Sequence, residues 1–361
     1  MVTRKPTHKD TLHLLHSDHR VLEILDASNE FLEEHVDVRV RIQDSIWVLR
    51  SLLDLIPQTV ENLWSGHVFP ITEAEYELES SIVLRKLGFY KHAIGSLRNV
   101  FEMGLLSVYW DIEDKSHVEI QGWLKSMEST PFRREIFKHL KTNTNIKTFD
   151  DRQSFFDRTA KLYEKLCDFS HTKGYRYSSR KLNNHSNVNH FTAASFSNWL
   201  EIMTKVVEAV TIFHVLKYPV GLQETRIDDK FGLNGPAGGF LNPDQVERIR
   251  KVVSKDLLTD LQDISDNDPS AVSMAAWVSG QPDLTPEQFE EQVEKEDQRS
   301  IAMEGFEHWF KNQKKLYRTQ RSDADVWRHQ LARWKKMRSW ARDNECLTKG
   351  TKDYWGNDLV L

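Results

Sequence analysis

Cysteine is nearly missing: Cys167 and Cys346 are the only two in 361 residues, too few for a disulfide framework, and this favours a reducing compartment. Long apolar runs are missing as well. No stretch approaches the roughly 20 residues that cross a bilayer, and the opening MVTRKPTHKDTLHLLHSDH is too polar for the apolar core of a signal peptide. A soluble, cytoplasmic chain without a membrane partner is the expectation. No segment sustains the period-2 alternation of a half-buried strand, so an all-α fold is expected. The sequence has no HExxH, paired-cysteine knuckle, Gly-x-Ser-x-Gly or kinase set, and nothing in it asks for a metal or another cofactor.

What is present is globular: 39% hydrophobic and 29% charged residues, enough for one large domain or two ordinary ones. The formal net charge of −5 hides an asymmetry, because residues 308–342 hold eleven Lys/Arg against Asp323 and Asp325. That segment stands at +9 and the remainder at −14. A chain polarised in this way either offers its basic end to nucleic acid or docks it on its own acidic part.

Helical periodicity dominates. Leu12, Leu15, Leu22, Leu25 and Leu32 mark residues 10–34, and Ile42, Ile46, Leu49, Leu53 and Ile56 mark a second helix that stops at Pro57. Thr72 with Glu75 has the spacing of a capping box and predicts a helix running to Gly88. After a short Gly-Phe-Tyr turn, residues 91–111 place Ala93, Leu97, Val100, Phe101, Leu105, Val108 and Tyr109 on one side. Two long helices joined so tightly predict an antiparallel hairpin. Further helices are expected over 118–126, 131–141, 150–169, 192–216 and 243–264. Others are expected around 271–278, from Thr285 as N-cap with Pro286 in the first turn, and over 324–342 with Trp327, Leu331, Trp334 and Ala341 on one face. The stretch FGLNGPAGGFLNP (231–243) reads as a linker. The expected organisation is N-terminal helices over 1–70, a helical domain over 71–230, the linker, and a helical C-terminal region over 244–361.

The one cluster with chemical potential ends the helix LYEKLCDFSHTKGYR (162–176). Ser170, His171, Thr172 and Lys173 precede Gly174. A histidine there is stabilised when protonated by the partial negative charge of the helix end. The alternative is a general acid/base, or a phosphate-contacting histidine with Lys173 beside it.

The hairpin LRKLGFYKHAIGSLRNVFEMGLLSVYW (84–110), followed by FDDRQSFFDRTAKLYEKLCDFSHTKG (149–174), resembles the helical HEPN-like proteins of prokaryotes. The shared features are an Ala-x3-Leu-Arg-x3-Glu face (Ala93, Leu97, Arg98, Glu102) and a Tyr-x2-Leu-x4-His helix end (Tyr163, Leu166, His171). The resemblance covers roughly 72–216 and implies a HEPN-like bundle that commonly pairs into a homodimer. It also implies a place in a prokaryotic defence or toxin-type system, in antiviral defence for example. In that family the ribonucleases need no metal. Four to six residues stand between the Arg and the His, the His acting on the 2′-hydroxyl or leaving oxygen and the Arg on phosphate charge. Before His171 those positions hold Glu164, Lys165 and Leu166, and none is Arg. Lys165 brings charge without the planar fork of a guanidinium. The resemblance therefore implies a non-catalytic binding or scaffolding component, whose partner is nucleic acid or protein, with a metal-independent ribonuclease using His171 as the alternative. In either case Arg98 and Glu102 are candidates to complete the site, with Arg98 in place of the missing arginine.

Three other patterns carry less. Arg134-x4-His139 matches the ribonuclease spacing literally, but positions five apart on a helix diverge by about 140°. His13, His16 and His19 cannot close a metal site unaided, because zinc pairs on one helix sit at i, i+4. The basic C-terminal segment interleaves Trp309, Tyr317, Trp327, Trp334 and Trp340 with its cations, the mixture used for stacking and phosphate neutralisation. Lys314, Lys315, Arg333, Lys335, Lys336 and Arg338 are its candidate nucleic-acid contacts.

Overall fold

Sixteen of the 25 residues from Ala193 to Lys217 are buried, on nearly every side of the helix, so this segment has to run through the middle of a bundle. The computed structural model describes residues 17–58, 68–113, 118–179, 190–236, 238–316 and 324–353, and no β-strand occurs among them. The chain divides into two compact units, Met1–Ile227 with Pro236–Gln281, and Asp228–Gly235 with Pro282–Leu361.

In the first unit α1 (Asp18–Glu34) and α2 (Val36–Leu55) lead to the hairpin of α3 (Phe69–Lys86) and α4 (Tyr90–Glu113). The short α5 (Val118–Leu124), α6 (Arg133–Leu140) and α7 (Thr144–Gln153) follow, then α8 (Phe155–Ser170) and the central α9 (Ala193–Lys217). The segment α10 (Ile227–Phe231) leads out of this unit, and α11 (Pro243–Val252), α12 (Lys255–Asn267) and α13 (Pro269–Ser279) complete it. The helices of 243–279 thus belong here and not with the C-terminal region. The reason is local to the first unit: α11 packs on α2 with Val246 and Ile249 fully buried. Gln245 also donates to the Asp54 carboxylate at 2.7 Å, and the Gly239 N–H to the Asp54 carbonyl.

The α3–α4 turn forms as its glycine predicts. Gly88 sits at φ +80, and a Cβ there would meet the His190 backbone at 2.9 Å, so glycine is required on two counts. Helix α4 packs against α3, α8 and α9. Its approach to α9 is close enough that a Cβ on Gly104 would lie 2.5 Å from Val210. The core joins Trp110, Trp199, Phe101, Phe149, Phe196 and Phe213, each contributing about 1.5–3 kcal/mol of apolar burial or more.

Three expectations about the elements change. Helix α3 begins at Phe69, because Pro70 is tolerated in a first turn; Thr72 lies inside it and donates its hydroxyl to the Val68 carbonyl. The helix expected over 150–169 is two, parted at Ser154, whose left-handed φ of 50 ends α7 before α8 starts. The one expected over 243–264 parts at Val253–Ser254.

The second unit holds α14 (Pro286–Glu304), α15 (Phe306–Leu316) and α16 (Ala324–Asp343). Thr285 and Gln288 close a reciprocal capping box at the start of α14, with Pro286 at its first position. Ile301, Phe306, Trp309, Trp334, Met337, Ala341 and Cys346 form the core, and Trp327 packs partly buried against it. Leu331, expected on the face of Trp334 and Ala341, is exposed; Met337 holds the inner position between those two.

Candidate functional site

Arg98 and Glu102, one turn apart on α4, flank the buried Phe101 and so face α8, where Phe101 meets the Tyr163 ring at 5.9 Å. Arg98 donates from Nε to Glu102 at 2.9 Å and from Nη2 to the Tyr163 hydroxyl at 3.3 Å. Tyr163 in turn donates to the same Glu102 oxygen at 2.6 Å. Arg133 of α6 also lies over that ring, 5.0 Å from its centroid, and donates to the Ala160 carbonyl. Each member is thereby satisfied by another. Burial first, and the Glu102 carboxylate second, push the Tyr163 phenol well above its ordinary value, against the pull of Arg98. Burial pulls the Arg98 guanidinium down, but Glu102 and Tyr163 outweigh it and leave its pKa raised. This is a closed triad of charge-assisted hydrogen bonds.

His171 is not part of it. It is the C-cap of α8 and exposed, and the helix end around it answers why Ser-His-Thr-Lys-Gly stands there. The Lys173 N–H donates to the Asp168 carbonyl and the Thr172 N–H to that of Phe169, with Thr172 left-handed at φ 53. Those two bonds are a Schellman motif, a self-contained helix stop. The Lys173 ammonium pairs with Asp168 at 3.1 Å, and Lys91 donates to the Thr172 hydroxyl at 2.6 Å. From Tyr163 to His171 the chain rises eight residues, about 12 Å along the helix. Lys165 points to neither group. Two positions from Tyr163 turn it roughly 200° away, and it lines a groove toward α9.

Arg134 of the literal Arg-x4-His match is exposed, while His139 is half-buried against the Tyr109 ring at 5.1 Å, so the helix divides the pair. His13 and His16 lie outside the described residues, His19 is exposed beside Glu23 at 3.3 Å, and no cluster of metal-ligating side chains occurs among the described residues.

One pair with nucleophile–base geometry was not foreseen. His214 Nε2 is 3.3 Å from the Ser107 hydroxyl, and its Nδ1 is 2.8 Å from the Val210 carbonyl. Burial drives the imidazole down to about 4, against Val210 and Asp111, so it is neutral. Both residues are shut inside the core, where no substrate reaches them. The only sequence signal was a histidine in the apolar run of α9.

In the second unit two of the six candidate cations of the basic segment meet carboxylates of α14. Arg333 grips the buried Asp297 with two bonds of 2.5 and 2.6 Å, and Lys336 reaches Glu294 at 2.5 Å. Lys314 lies 4.5 Å over the Phe310 ring, and Lys315, Lys335 and Arg338 are exposed. Tyr317 is outside the described residues.

No protein-family model matches the chain, and neither a curated protein nor a solved structure does.

Proposed function

We propose that this chain is a non-catalytic helical binding or scaffolding component of the HEPN-like kind, working within a prokaryotic defence or toxin-type system on a nucleic-acid or protein partner. One observation carries the reading. The only arginine offered as a substitute for the missing catalytic one, Arg98, is engaged by Glu102 and Tyr163, and His171 stands two helical turns beyond that triad at a closed helix stop. Cleaving a phosphodiester needs the proton-transfer group and the charge-stabilising cation within hydrogen-bond reach of one reacting centre. Incubating the protein with RNA in EDTA, beside its His171→Ala variant, tests this. Equal recovery of intact RNA is expected, and cleavage that disappears in His171→Ala overturns the reading in favour of a metal-independent ribonuclease.

Pairing of two copies is part of the same proposal. The hairpin's apolar side is consumed within the chain, since Ala93, Leu97, Phe101 and Leu105 are all buried. What remains for a second copy is the row Phe69, Tyr76 and Val83 on α3, spaced by seven and 42%, 64% and 54% exposed. Light scattering is expected to return a dimer that Tyr76→Glu weakens, and a monomer at micromolar concentration removes this element.

A further inference from the structure

A groove of about 400 Å³ runs between α8, α9 and the start of α12, within the range of small-molecule sites. Leu162, Ile202, Ala209 and Leu257 supply an apolar wall, with Phe155 at one end. Arg158, Lys161, Lys165 and Lys205 line the same groove. Three of these cations come from one helix at spacings of three and four, so they share a face of α8 and repel one another.

The neutralisation of this row is incomplete. Arg158 is held by Asp256 at 3.4 Å and Lys205 by Glu201 at 2.6 Å, but Lys161 and Lys165 enter no ion pair among the described residues. Glu164, three positions from Lys161, turns to Arg133 instead, 3.9 Å away. Glu208, the one carboxylate among the lining residues, accepts the Ser254 N–H at 2.7 Å at the start of α12. Burial, with Lys205 and Arg176 adding to it, pulls the Lys165 ammonium below the ordinary lysine value against Glu201. A bound anion would relieve that strain.

We propose that this groove binds an amphiphilic organophosphate, its apolar body against Leu162, Ile202, Ala209 and Leu257 and its phosphate between Lys161 and Lys165. The concave apolar wall demands a body, which inorganic phosphate lacks, and the uncommitted lysine pair demands an anion at the rim. The site stands apart from the Arg98 triad and from His171, so it holds whichever way the RNA-cleavage assay falls.

Titration calorimetry on the full chain with adenosine 5′-monophosphate, decyl phosphate and inorganic phosphate tests it, the first two separating a flat base from an alkyl chain as the body. At least one organophosphate is expected to bind ten times more tightly than inorganic phosphate. Lys161→Gln combined with Lys165→Gln is expected to weaken that binding at least tenfold, while Lys335→Gln combined with Arg338→Gln in the second unit leaves it unchanged. Should the groove double variant melt early, Lys161→Gln alone, at an exposed position, carries the test with a loss of at least threefold. Failure of both organophosphates to bind below millimolar concentration overturns the proposal, and so does binding that the groove variants leave at its wild-type strength.

Discussion

Helices α8 and α16 carry comparable rows of cations, and the two rows have opposite fates. On α16, Arg333 and Lys336 face the acidic α14, and the guanidinium closes a two-bond clamp on Asp297, whose side chain is 7% exposed. On α8, Lys161 and Lys165 line a groove with an apolar wall and close no ion pair among the described residues. The lesson is that a basic run does not identify a binding surface. A cation row becomes internal glue where another helix brings acids to it, and stays available to an anion where the neighbouring helices bring Leu, Ile and Ala.

The sharpest way to break this comparison is Asp297→Ala, which leaves Arg333 without its carboxylate in a largely buried place. Removing one partner of such a pair costs about 3–5 kcal/mol. Denaturant unfolding followed by tryptophan fluorescence should show that loss in the second unit, and a loss below about 1 kcal/mol would reduce the clamp to an ordinary surface pair.

A buried base without a carboxylate to pair with can also give up its proton, and His214, bonded only to the Val210 carbonyl and the Ser107 hydroxyl among the described residues, has done so. Its folded pKa of about 4 lies below the ordinary 6.5, so the unfolded chain takes up the proton first. This contribution is fully present above pH 6.5 and is lost as pH falls through 6.5 toward 4, worth about 3 kcal/mol. Stability measured against pH should therefore fall more steeply over that window in the native protein than in His214→Gln; parallel curves would rule the effect out.

Arg85 cannot escape in this way. It is fully buried, none of its three guanidinium nitrogens finds a hydrogen-bond acceptor among the described residues, and burial lowers its pKa to about 10 against the influence of Tyr90. Its compensation is aromatic, with the Phe196 and Trp199 rings 4.1 and 4.9 Å away. Because those contacts and the desolvation penalty are of similar size, Arg85→Met should shift stability by no more than about 1 kcal/mol, in either direction. A drop beyond about 3 kcal/mol would make the guanidinium a net stabiliser. The smallest effect belongs to Lys161→Gln, which removes like-charge repulsion along α8 and should raise stability by a few tenths of a kcal/mol. A clear loss would mean that Lys161 has a partner within the fold.

Much of the architecture was legible because its causes are local. The Gly88 turn, the Thr285–Pro286 start of α14 and the apolar side of α4 each follow from spacing within a few residues. The errors have local causes as well. Pro70 pulled the start of α3 upstream of Thr72, and the left-handed Ser154 cut one expected helix into two, a conformation that serine gives no sign of adopting. The candidate site was half legible. Arg98 and Glu102 meet as their spacing of four requires, but Tyr163, 61 residues from Glu102, completes the triad, and the His171 cluster proves to be a helix stop.

The sequence by itself determined an all-helical chain, its hairpin and the ends of several helices, because hydrogen bonds from i to i−4 and capping groups act within one or two turns. Only the tertiary structure decided which charges are neutralised. Arg333 meets Asp297 from 36 residues away and Lys336 meets Glu294 from 42, whereas Lys161 and Lys165 close no ion pair among the described residues. Coulomb attraction depends on separation in space and on burial, and neither can be read from separation along the chain.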